Sequence, residues 1–297
     1  MPNNTLERVS HTTVARDVQQ IIEGRETSDG AGVNLTRYIA SPELEMFDPF
    51  LLLDTFRSDD PQDYIAGFPP HPHRGFETVT YLLDGTMRHK DSAGHEGVIR
   101  PGGVQWMTAG SGIEHSEMPE QEKGMLYGFQ LWVNLPAAKK MTKPRYQEFD
   151  PKEIPLEKRI DGIKVKVIAG TTIEGTTGAV TDIAAAPIYF DITLPAETTF
   201  HEVIPQGHNT FVYVIDGAIN VYGDSKMTTV PKESLAVLSN GERLEVSADE
   251  TARFLLIAGR PFNEPVARYG PFVMNTEEEI QQAFTDYRVG RFGHIEQ

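Results

Sequence analysis

The chain of 297 residues contains no cysteine. This absence excludes disulfide bonds, thiolate metal sites, zinc fingers and cysteine nucleophiles together. The length also excludes a small stapled scaffold, since it corresponds to about two domains of ~100–200 residues each. Any metal ion that the protein holds must therefore be bound by nitrogen and oxygen atoms.

Long hydrophobic runs are absent as well. No apolar run approaches the ~20 residues that a membrane-crossing helix needs, and the first residues lack the basic-then-apolar pattern of a secretory leader. Hydrophobic residues make up 39% and charged residues 24% of the chain, which is ordinary for a soluble globular protein. We expect a soluble protein with no membrane partner and a cytoplasmic location.

Positive charge is scarce relative to negative charge. The chain has 27 basic and 43 acidic residues, and its formal net charge is -16. Such a chain repels the phosphate backbone of nucleic acids. We therefore expect no direct nucleic-acid binding, and a role near DNA would require a protein partner.

Glycine and proline are present in the pattern of an all-β protein. The 26 glycines and 20 prolines separate short segments rich in Val, Ile, Thr, Tyr and Phe. The clearest predicted strands are Glu77–Asp84, Leu126–Asn134, Ile188–Leu194, Thr210–Ile215, Ala218–Tyr222 and Arg253–Ala258.

An internal repeat indicates two similar domains. The sequence YLLDG at 81–85 returns as YVIDG at 213–217, and the segment 98–110 aligns with 229–241. Each Asp-Gly pair predicts a hairpin turn. Between 136 and 155 a proline-interrupted, lysine-bearing stretch is typical of a connector, so we expect domains at 1–138 and 139–297.

One helix is predicted near the end of the chain. Thr276 and Glu279 form a capping box, and Gly290 is a natural stop. The apolar residues at helical spacing on one face are Ile280, Phe284 and Tyr287. We expect this face to pack against a sheet.

Two short patterns carry the chemistry. In an extended chain, residues i and i+2 point to the same side, so His71 and His73 can grip one ion, and His115 and Glu117 repeat that arrangement. Together they would supply three imidazoles and one carboxylate at the ~2.0–2.2 Å that a divalent metal requires. This donor set suits Fe, Mn, Ni, Co or Cu, and zinc also fits. Glu77 is a fifth candidate, as a ligand or as the hydrogen-bonding partner of one.

The remaining histidines and the second domain serve as controls. Shifting the four predicted ligands by the repeat spacing gives Val203, Pro205, Val246 and Ala248, none of which binds metals. A metal site is therefore expected in the first domain only. No metal role is expected for His11, His89, His95, His201, His208 and His294.

Four stretches resemble the pirin family of the cupin superfamily: HPHRGFETVTYLLDG, VQWMTAGSGIEHSEMP, GFQLWVNLP and EPVARYGPFVMNTEEEI. The resemblance implies a bicupin of two antiparallel β-barrels with a short C-terminal helix. It also implies a single iron-type metal, Fe(II) above the others, in the N-terminal barrel. The family's ligands carry over as His71, His73, His115 and Glu117. Trp106 stands where many cupins have their last histidine, which favours Glu117 over Glu77 as the fourth ligand.

Apolar and aromatic residues surround these motifs. A barrel mouth lined in this way suits a flat aromatic ligand that bears oxygen atoms. The expected pocket residues are Phe56, Phe68, Trp106, Met118 and Phe129, with Gln130 as a polar member.

The resemblance implies two alternative functions. The first is a flavonol 2,3-dioxygenase of quercetinase type, in which Glu117 is also the catalytic base, O2 opens the heterocycle and carbon monoxide leaves. The second is a non-enzymatic, iron-dependent coregulator of transcription that acts through protein partners. Two barrels that share an internal interface would allow the protein to be a monomer.

Overall fold

The structure of the protein, a computed structural model, describes residues 13–292, so His11 and His294 lie outside it. Two short 3-10 helices, Pro61–Asp63 and Ala137–Lys139, interrupt the strands of the first half. The strands up to the connector are β1 (Val18–Glu23), β2 (Arg25–Asp29), β3 (Val33–Ile39), β4 (Phe50–Ser58), β5 (Phe68–His73), β6 (Phe76–Asp84), β7 (Met87–Asp91), β8 (Glu96–Ile99), β9 (Val104–Thr108), β10 (Ile113–Pro119), β11 (Leu126–Asn134) and β12 (Arg145–Phe149).

The second half continues with strands and ends in a helix. The predicted strands match observed ones to within one residue at either end. The later elements are β13 (Leu156–Lys158), β14 (Lys164–Ala169), β15 (Ile188–Leu194), β16 (Thr198–Val203), β17 (Asn209–Asp216), β18 (Ile219–Tyr222), β19 (Met227–Val230), β20 (Ser234–Leu238), β21 (Arg243–Ala248), β22 (Ala252–Gly259), β23 (Ala267–Tyr269), β24 (Phe272–Met274) and α1 (Glu277–Arg288).

The strands form two equivalent barrels, which confirms the all-β bicupin prediction. A seven-stranded sheet has the order β12-β9-β6-β11-β4-β3-β2, and its counterpart has the order β1-β20-β17-β22-β15-β14-β13. Each is completed by a four-stranded sheet, β5-β10-β7-β8 in the first barrel and β16-β21-β18-β19 in the second. The repeat in the sequence thus corresponds to a repeat in strand order.

Each barrel takes one edge strand from beyond the predicted boundary. β1 pairs with β20 of the second barrel, and β12 pairs with β9 of the first. The two strands occupy equivalent ends of their sheets. The division at 138/139 stays a prediction, but the sheets themselves cross it in both directions.

The predicted Asp-Gly hairpins are wrong. Asp84-Gly85 and Asp216-Gly217 do form turns, with φ of 79° and 73° at the two glycines. However, the turns lead from β6 to β7 and from β17 to β18, which belong to different sheets. The positive φ reverses the chain locally, whereas long-range pairing decides which sheet the next strand joins.

The two seven-stranded sheets pack face to face through the largest apolar cluster. The rings of Phe129 and Tyr213 meet edge to face across this interface, with centroids 5.2 Å apart. The interior of the second barrel is filled by a separate cluster of aliphatic side chains and phenylalanines. The apolar cluster inside the first barrel is smaller, which leaves room for a site there.

The C-terminal helix begins as predicted. The Thr276 side chain accepts a hydrogen bond from the backbone N–H of Glu279. The Glu279 carboxylate in turn accepts a hydrogen bond from the backbone N–H of Thr276. Gly290, at φ of 75°, follows its end. Ile280 and Ala283 are buried against the β23–β24 hairpin. Among the described residues, every helix falls short of the length and apolar character that a membrane span requires.

Replacement of Phe129 by Ala tests the interface between the barrels. The ring is fully buried there, so its loss should lower the free energy of unfolding by about 3–5 kcal/mol, as measured by urea denaturation. The control is Ile160→Ala, because Ile160 is fully exposed and its truncation should change stability by less than about 0.5 kcal/mol. Equal effects of the two variants would contradict this packing.

Candidate metal centre

The predicted ligands lie on two neighbouring antiparallel strands, β5 and β10. His71 is directly opposite His115, and His73 is opposite Ile113. The register shifts between His115 and Glu117, so that Glu117 is opposite Phe68. Such irregularities re-aim side chains next to functional sites. The pairing gathers the three histidines and places the glutamate one step further along the same face.

The three imidazoles form a compact group. The ring centroids of His71 and His115 are 4.5 Å apart, and those of His73 and His115 are 5.0 Å apart. One donor nitrogen from each of the three lies within 4.8 Å of the others. Two ligands of one ion are separated by at most about 4.2 Å, twice a metal–nitrogen bond, so small ring rotations would bring all three onto one cation.

Hydrogen bonds orient two of these rings. His71 donates from Nδ1 to the carbonyl oxygen of Pro69 at 2.8 Å, and His73 donates from Nδ1 to the carbonyl of Pro271 in a longer contact of 3.4 Å. Donation from Nδ1 leaves the Nε2 lone pair free for a metal. The two backbone carbonyls thus select the tautomer that a metal ligand requires.

Burial keeps the inner histidines neutral. His73 is 3% and His115 1% exposed, and burial, helped by the neighbouring histidines, holds the pKa of both well below the ordinary value. Within residues 13–292 neither ring nitrogen of His115 has a hydrogen-bond partner, an arrangement that costs about 1–3 kcal/mol. A cation that accepts this lone pair would remove that penalty, so the three residues fit a divalent metal ion.

Glu117 is buried beside the histidines, and two polar side chains hold it. Thr80 donates to Oε1 at 2.7 Å, and Gln130 donates to Oε2 at 2.9 Å. Each carboxylate oxygen can accept a further bond, so these contacts leave capacity for a metal or a proton. The glutamate is not among the tightly gathered donor atoms, but it borders the same cavity as His71.

Glu77, the fifth candidate ligand, lies on the face of β6 that points away from the histidines. The ring of Phe76 packs 5.0 Å from that of His73, and Thr80 also points to the site. Side chains alternate along a strand, so Glu77 points away and accepts a hydrogen bond from Thr108 at 2.7 Å instead. Burial raises the pKa of its carboxyl.

A cavity of about 550 Å³ opens in front of the histidines, a size suited to a small aromatic molecule. Three of the predicted pocket residues line it, namely Phe56, Phe68 and Gln130. The cavity wall also includes Leu52, Asp54, Trp132, Arg268, Gly270 and Pro271.

The expectation that Trp106, Met118 and Phe129 line this pocket has to be corrected. Trp106 and Phe129 point to the other face of their strands and are buried in the core between the barrels. Met118 follows Glu117 on β10, so its side chain also points the other way and lies beside Gly67. Side chains alternate along β11, so Gln130 and Trp132 point into the cavity while Phe129 points to the core between the barrels.

The C-terminal segment holds both ligand strands. Arg74, next to His73, forms a buried ion pair of 2.8 Å with Asp286 of α1. Tyr287, also on α1, donates to Glu114 at 2.7 Å, and Glu114 precedes His115. One helix thus contacts the neighbour of a ligand on each strand.

The turn between β5 and β6 shows how closely this segment approaches. At Gly75, with φ of 88°, a Cβ atom would come within 1.9 Å of the carbonyl oxygen of Val273. Lys140, which is 2% exposed, donates to the carbonyls of Gly75 and Val273 at 2.8 and 2.9 Å. Only glycine allows this contact, which keeps Pro271 within reach of His73.

Family models match both halves of the chain: the pirin model covers residues 32–133, and the pirin C-terminal cupin domain covers 189–293. The chain belongs to the pirin family. It is 54% identical over 277 residues to a pirin-like protein of Caulobacter vibrioides, covering 93% of this chain and 99% of that one. It is 43% identical over 282 residues to pirin of Homo sapiens, covering 94% of each.

A solved structure is similar to this chain in fold and in sequence. A crystal structure of a quercetin 2,3-dioxygenase from Acinetobacter baumannii superimposes with a TM-score of 0.85 at 35% identity. The match covers 95% of this chain and all of that one. The resemblance and the cupin fold predicted from the sequence are thereby confirmed.

Removal of the buried Asp286 carboxylate tests the contact between α1 and the turn that follows β5. Because Asp286→Ala leaves the Arg74 guanidinium buried and uncompensated, the free energy of unfolding at pH 7 should fall by about 3 kcal/mol. Arg74 holds the pKa of Asp286 below its ordinary value, so the pair stabilises the fold at neutral pH. That contribution declines as the pH falls below the usual aspartate pKa of 3.8.

Urea denaturation of wild type and variant at pH 7 and pH 3 measures this difference. We expect the gap between the two proteins to narrow on acidification. The control is Asp150→Ala, which removes an exposed ion pair with Arg100 and should cost less than about 1 kcal/mol. A gap that is the same size at both pH values would argue against the ion pair.

Proposed function

We propose that this protein is a metal-dependent dioxygenase of quercetinase type. It takes a flavonol and O2 as substrates, opens the flavonol heterocycle and releases carbon monoxide. The observation that carries the proposal is the group of three imidazoles, two of them fully buried, beside a carboxylate at the wall of a cavity lined with aromatic rings. The likeness to the Acinetobacter quercetin dioxygenase supports it.

The metal site consists of His71, His73, His115 and Glu117. A divalent cation held there supplies the Lewis acidity that lowers the pKa of a substrate hydroxyl. The family resemblance favours Fe(II), and Ni, Mn, Co, Cu and Zn are compatible because this donor set does not choose among them. Three neutral imidazoles and one carboxylate leave a net charge of about +1 on a divalent site, which attracts an anionic flavonolate.

Glu117 acts as the catalytic base. It accepts the proton of the substrate's 3-hydroxyl, while the hydrogen bonds from Thr80 and Gln130 fix the position of its carboxylate. Positioned proton transfer of this kind contributes about 10²–10⁴-fold to a rate. The rings of Phe56 and Phe68 hold the flat substrate and exclude water from the cavity.

Glu117→Gln tests the base. The amide keeps the shape of the side chain but cannot take a proton, so turnover of quercetin should fall by about 10²-fold or more while part of the metal is retained. Carbon monoxide release and elemental analysis measure the two quantities. The matched control is Met118→Leu, whose side chain points away from the cavity and which should keep normal turnover. Near-normal turnover of Glu117→Gln would exclude the glutamate as the base.

Elemental analysis tests the metal site itself. The purified protein should hold one metal ion per chain, and His115→Ala should lose it because one of three imidazoles is removed. His201→Ala in the second barrel is the control, since that histidine is exposed, and should keep full occupancy. Equal metal content in both variants would contradict the site.

Anaerobic titration with quercetin, followed by admission of air, separates the two functions considered for this family. Flavonol binding without oxygen, then consumption with carbon monoxide release, supports the dioxygenase. Metal-dependent capture of a protein partner with no turnover would favour the coregulator alternative. A cytoplasmic, monomeric state stays a prediction.

A further inference from the structure

We propose that Arg268 determines substrate specificity by binding an anionic oxygen substituent of the aromatic substrate. The preferred substrate class is then an aromatic acid or ionised polyphenol rather than an uncharged flavonoid. This inference rests on the proposed function for the aromatic ligand at the metal, and it adds which ring substituents that ligand carries.

Arg268 comes from the far end of the chain but lines the metal cavity. It lies on β23, followed by Gly270 and Pro271, which also line the cavity. Its guanidinium carbon lies 4.8 Å from the centroid of the Trp132 ring. The same indole contacts the ring of His73 at 5.3 Å between centroids. The indole ring of Trp132 thus contacts both the guanidinium of Arg268 and the predicted metal ligand His73.

Most N–H donors of the Arg268 guanidinium have no hydrogen-bond partner among the described residues. Within residues 13–292 its one hydrogen bond runs from Nη1 to the carbonyl oxygen of Leu51, at 3.0 Å, and it makes no ion pair. A guanidinium carries five N–H donors in a planar fork that matches carboxylate geometry. Most of these donors therefore remain available to a ligand in the cavity.

The neighbouring Arg37, in contrast, is paired directly with carboxylates. It binds both oxygens of Asp54, at 2.8 and 2.7 Å, and also contacts Asp29 at 3.0 Å. Asp54 lines the cavity, but Arg37 already occupies its carboxylate. Among the described residues Arg268 has no direct ion-pair partner, and its charge is attracted by Asp54 and Asp29 only at longer range.

An anionic ligand would use these free donors. Arg268 is exposed at the cavity, and a charge-assisted, two-pronged contact to a carboxylate or phenolate is among the strongest hydrogen-bonded contacts that a guanidinium makes. The stacked Trp132 ring limits the movement of the guanidinium, so the fork is oriented before the ligand arrives. The metal and Arg268 would then hold two different oxygens of one flat molecule.

Anaerobic binding to the metal-loaded protein tests this inference without turnover. The probes are 3-hydroxyflavone and two carboxylate derivatives of it, substituted at position 4′ or position 7 so that both ends of the molecule are sampled. Wild type should bind at least one carboxylate probe about 10–150-fold more tightly than 3-hydroxyflavone, the range expected for hydrogen bonds to a charged group. Equal affinities for all three probes would overturn the inference.

Variants then assign the effect to Arg268. Arg268→Gln should abolish the preference for the carboxylate probe while leaving 3-hydroxyflavone binding within about threefold. Arg268→Lys should keep part of the preference for the carboxylate probe, because the positive charge remains but the planar set of guanidinium donors is lost. Arg100→Gln, a surface control that is more than half exposed, should change nothing. Thermal unfolding and metal content verify that each variant is folded and loaded.

The outcomes separate the two proposals. If 3-hydroxyflavone binds and is consumed in air but Arg268→Gln weakens all probes equally or none, the role of Arg268 is overturned and the dioxygenase stands. If no probe binds to metal-loaded wild type, both fall together. If Arg268→Gln fails to fold, the relative affinities of wild type for the three probes still decide whether the cavity prefers an anionic ligand.

Discussion

The pairing of β5 with β10 is the constraint on which the site depends. His71 and His115 occupy opposite positions in one antiparallel ladder, and a slip of one residue would turn one partner's side chains to the other face. β5 carries three prolines and lies at the edge of its sheet, where the missing N–H groups are tolerated. An edge strand with few ladder bonds needs support from elsewhere, and here it comes from the end of the chain.

The C-terminal segment supplies that support and also completes the cavity wall. Asp286 binds the arginine that follows His73, Pro271 accepts a hydrogen bond from His73, and Arg268 reaches the same cavity. Stability and chemistry are therefore coupled in this region, because the contacts that hold the ligand strands also decide what a substrate meets. The second barrel contributes differently, through the broad apolar face that fixes the seven-stranded sheet of the first.

Local patterns in the sequence predicted a large part of this arrangement. The i, i+2 spacing placed two predicted ligands on one face of each strand, and the Thr276–Glu279 capping box located the helix. Strand alternation could also have identified Trp132 from its spacing to Gln130. It could not say which face of β6 or β11 points inward, and for that reason Glu77 and Phe129 were assigned to the wrong side. The Asp-Gly turns failed for a related reason, since a turn does not specify the sheet it leads to.

Arg268 shows a limit of a different kind, because no local pattern connects it to histidines almost two hundred residues earlier. Its place in the cavity follows from three non-local facts: the β23–β24 hairpin docks on the first barrel, Gly75 permits the close approach, and Trp132 presents its ring to the guanidinium. A cation held in this way lowers the electrostatic cost of bringing a second negative group into a site that already contains Glu117. The two ends of the cavity therefore have different chemistry, with nitrogen ligands for a metal at one and a hydrogen-bonding cation at the other. A flat molecule with oxygens at both ends satisfies both at once, whereas one with a single oxygen leaves the arginine without a partner.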